Sequence, residues 1–292
     1  EKSLAFVSLE PHEKADVNKY YNPYTIEQFS NMFKAVDMNH VLQSMKVDSA
    51  DKVIVFDVKL AQKGAELLTE TNLDVLKGYA KMHLLMVTGD LLSDEFRNAS
   101  NEFVATFYGV IGEKTEQEIA LDLTIDSMSG YIEQMFAEKY FSPEAKKDVE
   151  QMVEQLIATY EERIRSLDWM SETTKEKAIK KLDTMIVKIG YPDQWDTTLD
   201  QVAIKTYDEG GSLFSNTFSV LKAYTDKVKE QLGKPVDRTA WLTSVYTVNA
   251  FYNAFNNDIT LPAGILQAPF YDINATPEEN YGAIGMVIGH EI

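Results

Sequence analysis

The hydrophobic and polar positions of this chain alternate mostly at helical spacing. The clearest stretch begins at Ser142-Pro143, where Ser can cap a helix and Pro suits its first position. Behind it Val149, Met152, Val153, Leu156, Ile157, Tyr160, Ile164 and Leu167 recur at three- and four-residue intervals and form one apolar face. Ser171 can cap a second helix carrying Ala178, Ile179, Leu182, Met185 and Ile186, and Gly190-Tyr191-Pro192-Asp193 then breaks the pattern. The two helices are expected to pack as a hairpin.

Upstream, Thr25 and Gln28 have the spacing of a capping box, with Phe29, Met32 and Phe33 supplying the apolar stripe of a short helix. Residues 53–58 alternate and are β-branched enough for one strand, and residues 60–68 and 73–87 return to helical spacing. A further long helix is expected over residues 213–232, ended by Gly233-Lys234-Pro235.

The texture changes there, so a seam is placed near 235, with residues 1–235 helical and residues 236–292 a second region. Residues 245–252 and 258–261 are β-prone and flank a polar stretch, which reads as a hairpin, with Pro262 restricting the second strand to an edge or an end. Thr276-Pro277-Glu278-Glu279 is the strongest helix start in the chain, and its helix is expected to run to the C-terminus. Gly282, Gly285 and Gly289 each cost about 1 kcal/mol inside a helix relative to Ala, so a close approach to that backbone is expected. The fold class is mainly α.

Composition narrows the function classes. A formal charge of −18 disfavours nucleic acid and anionic membrane surfaces as partners. The absence of Cys removes disulfides and thiolate metal sites, fits a cytoplasmic location, and leaves His, Asp and Glu as metal donors. No run approaches the ~18 apolar residues of a membrane span, and the opening Glu1-Lys2-Ser3 lacks the form of a signal peptide. With no initial Met, and with His290-Glu291-Ile292 ending in mid-pattern, the chain is expected to be a piece of a longer protein. Asn98-Ala-Ser and Asn274-Ala-Thr match the glycosylation acceptor pattern and are read as chance.

Catalytic chemistry is concentrated at Gly289-His290-Glu291. In an HExxH helix two His residues four apart bind zinc on one face, and the Glu beside the first takes a proton from the attacking water. Only the first half of that pattern is present, and His-Glu taken alone is more often a solvated helix end. His12, His40 and His83 read as surface or satisfied core residues. Met286 and Val287 share the helical face of His290, which is core packing or an apolar wall beside a metal. The stretch around Asn249 is a plain hairpin strand, or an edge strand that pairs with an extended peptide while the Asn249 amide adds an anchor.

Taken together, Val248-Asn-Ala-Phe-Tyr, Leu261-Pro-Ala-Gly-Ile-Leu-Gln-Ala-Pro-Phe-Tyr and Asn280-Tyr-Gly-Ala-Ile-Gly-Met-Val-Ile-Gly-His-Glu-Ile resemble the neprilysin and endothelin-converting enzyme family of zinc metalloendopeptidases. Tyr140-Phe-Ser, Leu167-Asp-Trp-Met and Lys188-Ile-Gly-Tyr-Pro-Asp resemble its helical region, and the lack of Cys resembles its bacterial oligopeptidase members. The resemblance implies a multi-helix lobe followed by the beginning, hairpin and zinc helix, of a thermolysin-like catalytic lobe.

It also implies His290 as first zinc ligand, Glu291 as general base, Asn249 and Ala250 as holders of the substrate backbone, and Ile265, Phe270, Met286 and Val287 as the pocket for the residue after the cut. The implied cofactor is one Zn2+, which this chain alone is not expected to hold stably, and the implied partners are oligopeptides. The remaining ligands would lie beyond Ile292. The rival reading is a non-catalytic helical binding module with an incomplete metal site.

Overall fold

Capping chemistry starts the helices where the sequence places it. In a computed structural model that describes residues 16–47, 50–109 and 115–292, Thr25 accepts from the Gln28 N–H while Gln28 returns a bond to Thr25 N–H. His12 lies outside the described residues. The chain passes through β1 (Pro23–Thr25), α1 (Ile26–Met32), α2 (Met38–Ser44), β2 (Lys52–Ile54), α3 (Val58–Leu67), α4 (Leu73–Thr88) and α5 (Asp94–Tyr108). Then follow α6 (Glu116–Ser127), α7 (Ser129–Tyr140), α8 (Pro143–Ser166), α9 (Glu172–Asp183) and β3 (Ile186–Gly190). After α10 (Leu213–Glu230) come β4 (Phe251–Asn253), β5 (Asp258–Pro262), α11 (Pro277–Gly282) and α12 (Ile284–Glu291). The protein is mainly α, as its periodicity implies.

The described residues divide into two compact units. One contains those up to 109 together with Gln201–Pro235, and the other contains those from 115 to Asp200 together with Val236–Ile292. In the first, β1 pairs antiparallel with β2, Tyr24 opposite Val53. The expected strand over residues 53–58 is shorter than its pattern, because Asp57 caps α3 by accepting from the Leu60 N–H. Among the described residues no helix is long and apolar enough to cross a membrane.

The second unit holds the main core. Ser142 caps α8 by accepting from the Ala145 N–H, and α8 buries Ala145, Val149, Met152 and Val153, the stripe seen in the sequence. Helix α9 folds back against it, as expected of a hairpin. The sheet runs β3-β5-β4, with β5 parallel to β3 and antiparallel to β4. Central β5 is buried throughout, and with Ile284 and Ile288 of α12 its Ile259 and Leu261 are fully enclosed, each such side chain contributing about 1.5–3 kcal/mol of burial.

Four expectations are corrected here. Met185 and Ile186 do not continue α9: the helix stops at Thr184, the Lys181 carbonyl accepts from the Asn257 side-chain amide, and Ile186 begins β3. The strand expected from 245 forms only from Phe251. The C-terminal helix breaks at Ala283 (φ −102°, ψ −91°) into α11 and α12. The close approach expected at three glycines is found at Gly285 alone, where an added Cβ would meet the Tyr281 ring at 3.2 Å; nothing lies within 4 Å at Gly282, and at Gly289 the Tyr160 hydroxyl would stand at an ordinary 3.5 Å.

Thr276 caps α11, its hydroxyl accepting from the Glu279 N–H while the Glu279 carboxylate accepts from the Thr276 N–H at 2.9 Å. The Thr276 N–H, and then the Thr276 hydroxyl, which also donates to this carboxylate at 3.0 Å, hold the Glu279 carboxyl below its usual pKa. Replacing Thr276 with Ala is expected to cost about 1 kcal/mol locally, seen as roughly fivefold faster amide exchange across α11. Unchanged exchange would show that the cap does not govern this helix.

Candidate functional site

Helix α12 carries His290 exposed and Glu291 half-buried at its last turn. Its depth is set by Ile284, Gly285 and Ile288, all buried, and its apolar side packs on α8. It is held at both ends by hydrogen bonds. The Ile284 N–H donates to the Phe270 carbonyl at 3.0 Å, and the Tyr160 hydroxyl donates to the Gly289 carbonyl at 2.7 Å.

Asn249 and Ala250 lead directly into β4, whose one edge pairs with β5 and whose other lies at the margin of the sheet. Asn249 is exposed, and its side-chain oxygen accepts from the Ala250 N–H at 2.9 Å, while Ala250 is itself buried in the core. An exposed amide beside a sheet margin has the chemistry to hold an extended peptide backbone.

The four apolar candidates divide by burial. Ile265, only 5% exposed, belongs to the core that also contains Ala250 and against which Val287 packs. Met286 is 66% exposed and Phe270 37%, so these two present apolar surface next to α12. All eight candidate residues therefore lie in one compact unit, although only Ala250, Ile265 and Val287 share a described cluster.

Sequence reasoning did not find the residues that hold this region in place. Tyr271 donates to Asp148 at 2.8 Å and Tyr281 to Gln155 at 2.5 Å, pinning the segment before α12 to α8. Burial first, and then the Asp148 bond and charge, raise the Tyr271 pKa; burial and the same charge raise that of Tyr281, so both phenols stay protonated donors. Buried Asn280 donates to the Asp272 carbonyl and accepts from the Asp272 N–H, closing the loop that leads into α11. Tyr160 stood in the apolar stripe of α8, but its partner 129 positions away left no local signal.

Among the described residues no three His, Asp or Glu side chains cluster to hold a metal ion. His290 is the right kind of donor for zinc, an imidazole on an exposed helix end, but catalytic zinc sites use three protein ligands. The residues present therefore fit as one part of such a site.

Two models described as peptidase family M13 match the chain, one over residues 1–192 and the other over residues 249–292. A neutral endopeptidase of Lactobacillus helveticus is 35% identical over 292 residues, covering 100% of this chain and 45% of the relative. Neprilysin-1 of Trittame loki is 31% identical, with 100% of this chain and 42% of the relative covered. The crystal structure of a Mycobacterium tuberculosis zinc metalloprotease, Zmp1, in complex with an inhibitor superposes with a TM-score of 0.86 at 28% identity, covering 100% of this chain and 44% of that one. PepO from Lactobacillus rhamnosis gives a TM-score of 0.83 at 29% identity, with 100% and 46% covered. The chain thus spans a little under half the length of these relatives, and with matching models across most of its residues it belongs to peptidase family M13.

Proposed function

We propose that the protein to which this chain belongs is a zinc-dependent endopeptidase that hydrolyses oligopeptides and prefers a hydrophobic residue after the scissile bond. The observation that carries the reading is the family match of the segment ending in α12, with His290 exposed on its last turn. In this reading residues 1–235 belong to the helical region and residues 236–292 open the catalytic one.

Zinc, when bound, supplies Lewis-acid activation of the attacking water and of the peptide carbonyl. His290 supplies one donor, through an imidazole nitrogen. The Glu291 carboxylate, beside it in sequence, takes the proton as water attacks. Asn249 offers its side-chain amide to the substrate backbone, and the margin of β4 lies next to it for main-chain pairing. In this reading Met286 and Phe270 supply exposed apolar surface for the side chain after the cut, while Ile265 lies in the core and Val287 packs against it. One zinc donor is too few for catalysis, so the 292-residue chain by itself is inactive in this reading.

The test uses the longer protein and a set of oligopeptides that differ only in the residue after the cut. Leu or Phe there is expected to give about 10- to 200-fold higher kcat/KM than Gly, within the range of apolar-pocket discrimination. Chelation should abolish hydrolysis, and added zinc should restore it. Asn249→Ala should leave zinc in place and raise KM, because it removes a substrate contact. Hydrolysis that survives full zinc removal would overturn the reading.

A further inference from the structure

We propose that Tyr160 is a positioning residue for the metal-binding turn, its phenol fixing the Gly289 carbonyl and with it the direction in which His290 and Glu291 leave α12. The inference rests on the reading of His290 as a zinc ligand, and it assigns to α8 a role that the His-Glu pattern does not contain.

The break at Ala283 separates α12 from the two phenol bonds upstream of it, Tyr271 with Asp148 and Tyr281 with Gln155. Those bonds hold the approach to the helix rather than its end. Within α12, Ile284 and Ile288 are fully buried and fix its depth, and the Ile284 N–H bond to the Phe270 carbonyl orients its first turn, but apolar contact is non-directional and gives the last turn no directional restraint. The directional tie at the far end is the 2.7 Å bond from the Tyr160 hydroxyl to the Gly289 carbonyl, the residue directly before His290.

The geometry suits a fixed strut. Tyr160 extends the buried stripe of Val149, Met152 and Val153 by the same three- and four-residue steps, and its ring reaches α12 from a 24-residue helix anchored in the core. The contact between Tyr160 and Gly289 is the hydrogen bond itself, since a Cβ added at Gly289 would stand at an ordinary 3.5 Å from the phenolic oxygen. A carbonyl has two lone pairs, and the phenol therefore does not compete with a helical bond to the same oxygen. Metal ligands have to be held within about 0.5 Å and 10–20° of their working geometry, so a bond one residue away from the ligand acts on zinc through His290.

The experiment compares Tyr160→Phe with Tyr281→Phe in the longer protein. Each removes one hydroxyl donated by or to α8 and keeps the ring, but only the Tyr160 hydroxyl bonds to α12; Tyr281 meets α12 at Gly285 through its ring, which the substitution retains. Tyr160→Phe is expected to weaken zinc binding, measured by chelator competition, by about 10- to 100-fold, and to lower kcat with KM nearly unchanged. Amide exchange at residues 290–292 should quicken, and the melting temperature should stay close to that of the parent. Tyr281→Phe should leave zinc affinity as it was.

Wild-type zinc affinity in Tyr160→Phe, equal losses in both variants, or a Tyr160→Phe protein that does not fold would each overturn the inference. The last two would make the hydroxyl merely structural. His290→Ala serves as the reference. If it keeps zinc, the ligand assignment has failed; if it loses zinc while Tyr160→Phe does not, only the positioning role has.

Discussion

Replacing Glu291 with Gln in the longer protein is expected to leave zinc bound while turnover falls by at least about 10² to 10⁴, the range assigned to general acid-base catalysis. The substitution keeps the shape of the side chain and removes the proton acceptor. His290→Ala should behave differently, losing metal and activity together, because it deletes a donor rather than a base. Position supports the distinction: both residues lie on the last turn of α12, where His290 is exposed and Glu291 half-buried, so neither substitution opens a cavity in the core formed by Ile284 and Ile288. Metal content and single-turnover rates measured side by side separate the two roles. A zinc-loaded Glu291→Gln protein that cleaves at the parent rate would remove Glu291 from the mechanism and favour a binding module.

What could be read from the sequence is what local chemistry determines. Thr25, Ser142, Ser171 and Thr276 each accept from an N–H in the first turn of the helix they start, and such caps need only residues within four positions of one another. The stripe of α8 was legible for the same reason. Strand β3 was not: Ile186 to Ile189 continue the apolar spacing of α9, and only pairing with β5, some 70 residues later, makes them extended. Nor was the break at Ala283: Gly282 and Gly285 flank it, but with Gly289 they read as close-approach glycines inside one helix rather than as its stop.

The candidate site shows the same division. His290 and Glu291 form half of a known pattern and Met286 and Val287 share their helical face, but only the family resemblance makes candidate site residues of them. The bonds that Tyr160, Asp148 and Gln155 make to the segment from 271 to 289 join residues more than 120 positions apart. A single sequence names each partner as an ordinary polar or aromatic residue and leaves the pairing unseen.

Lys188 carries the largest stability effect expected outside the site. It reads as a polar interruption in an apolar strand, yet its side chain is 5% exposed, and its ammonium stands 3.0 Å from the Asp258 carboxylate, whose side chain is 4% exposed. The same ammonium donates to the Ala240 carbonyl at 2.8 Å, so the pair joins β3, β5 and the loop that leads into β4. A buried ion pair adds little over an apolar pair of the same volume, but removing one member strands the other, at about 3–5 kcal/mol. Lys188→Met should therefore lower the unfolding free energy by about that amount, because it leaves the Asp258 carboxylate without its cation. Lys188→Met combined with Asp258→Leu should recover most of the loss, to within about 1–2 kcal/mol of the parent, since neither charge then remains to be desolvated. Guanidinium denaturation of the parent, both single variants and the double variant gives the coupling directly, provided the m-values agree. If the double variant falls by the sum of the two single losses, the residues do not act as a pair, and β3 and β5 are joined by their ladder bonds and packing without help from this ion pair.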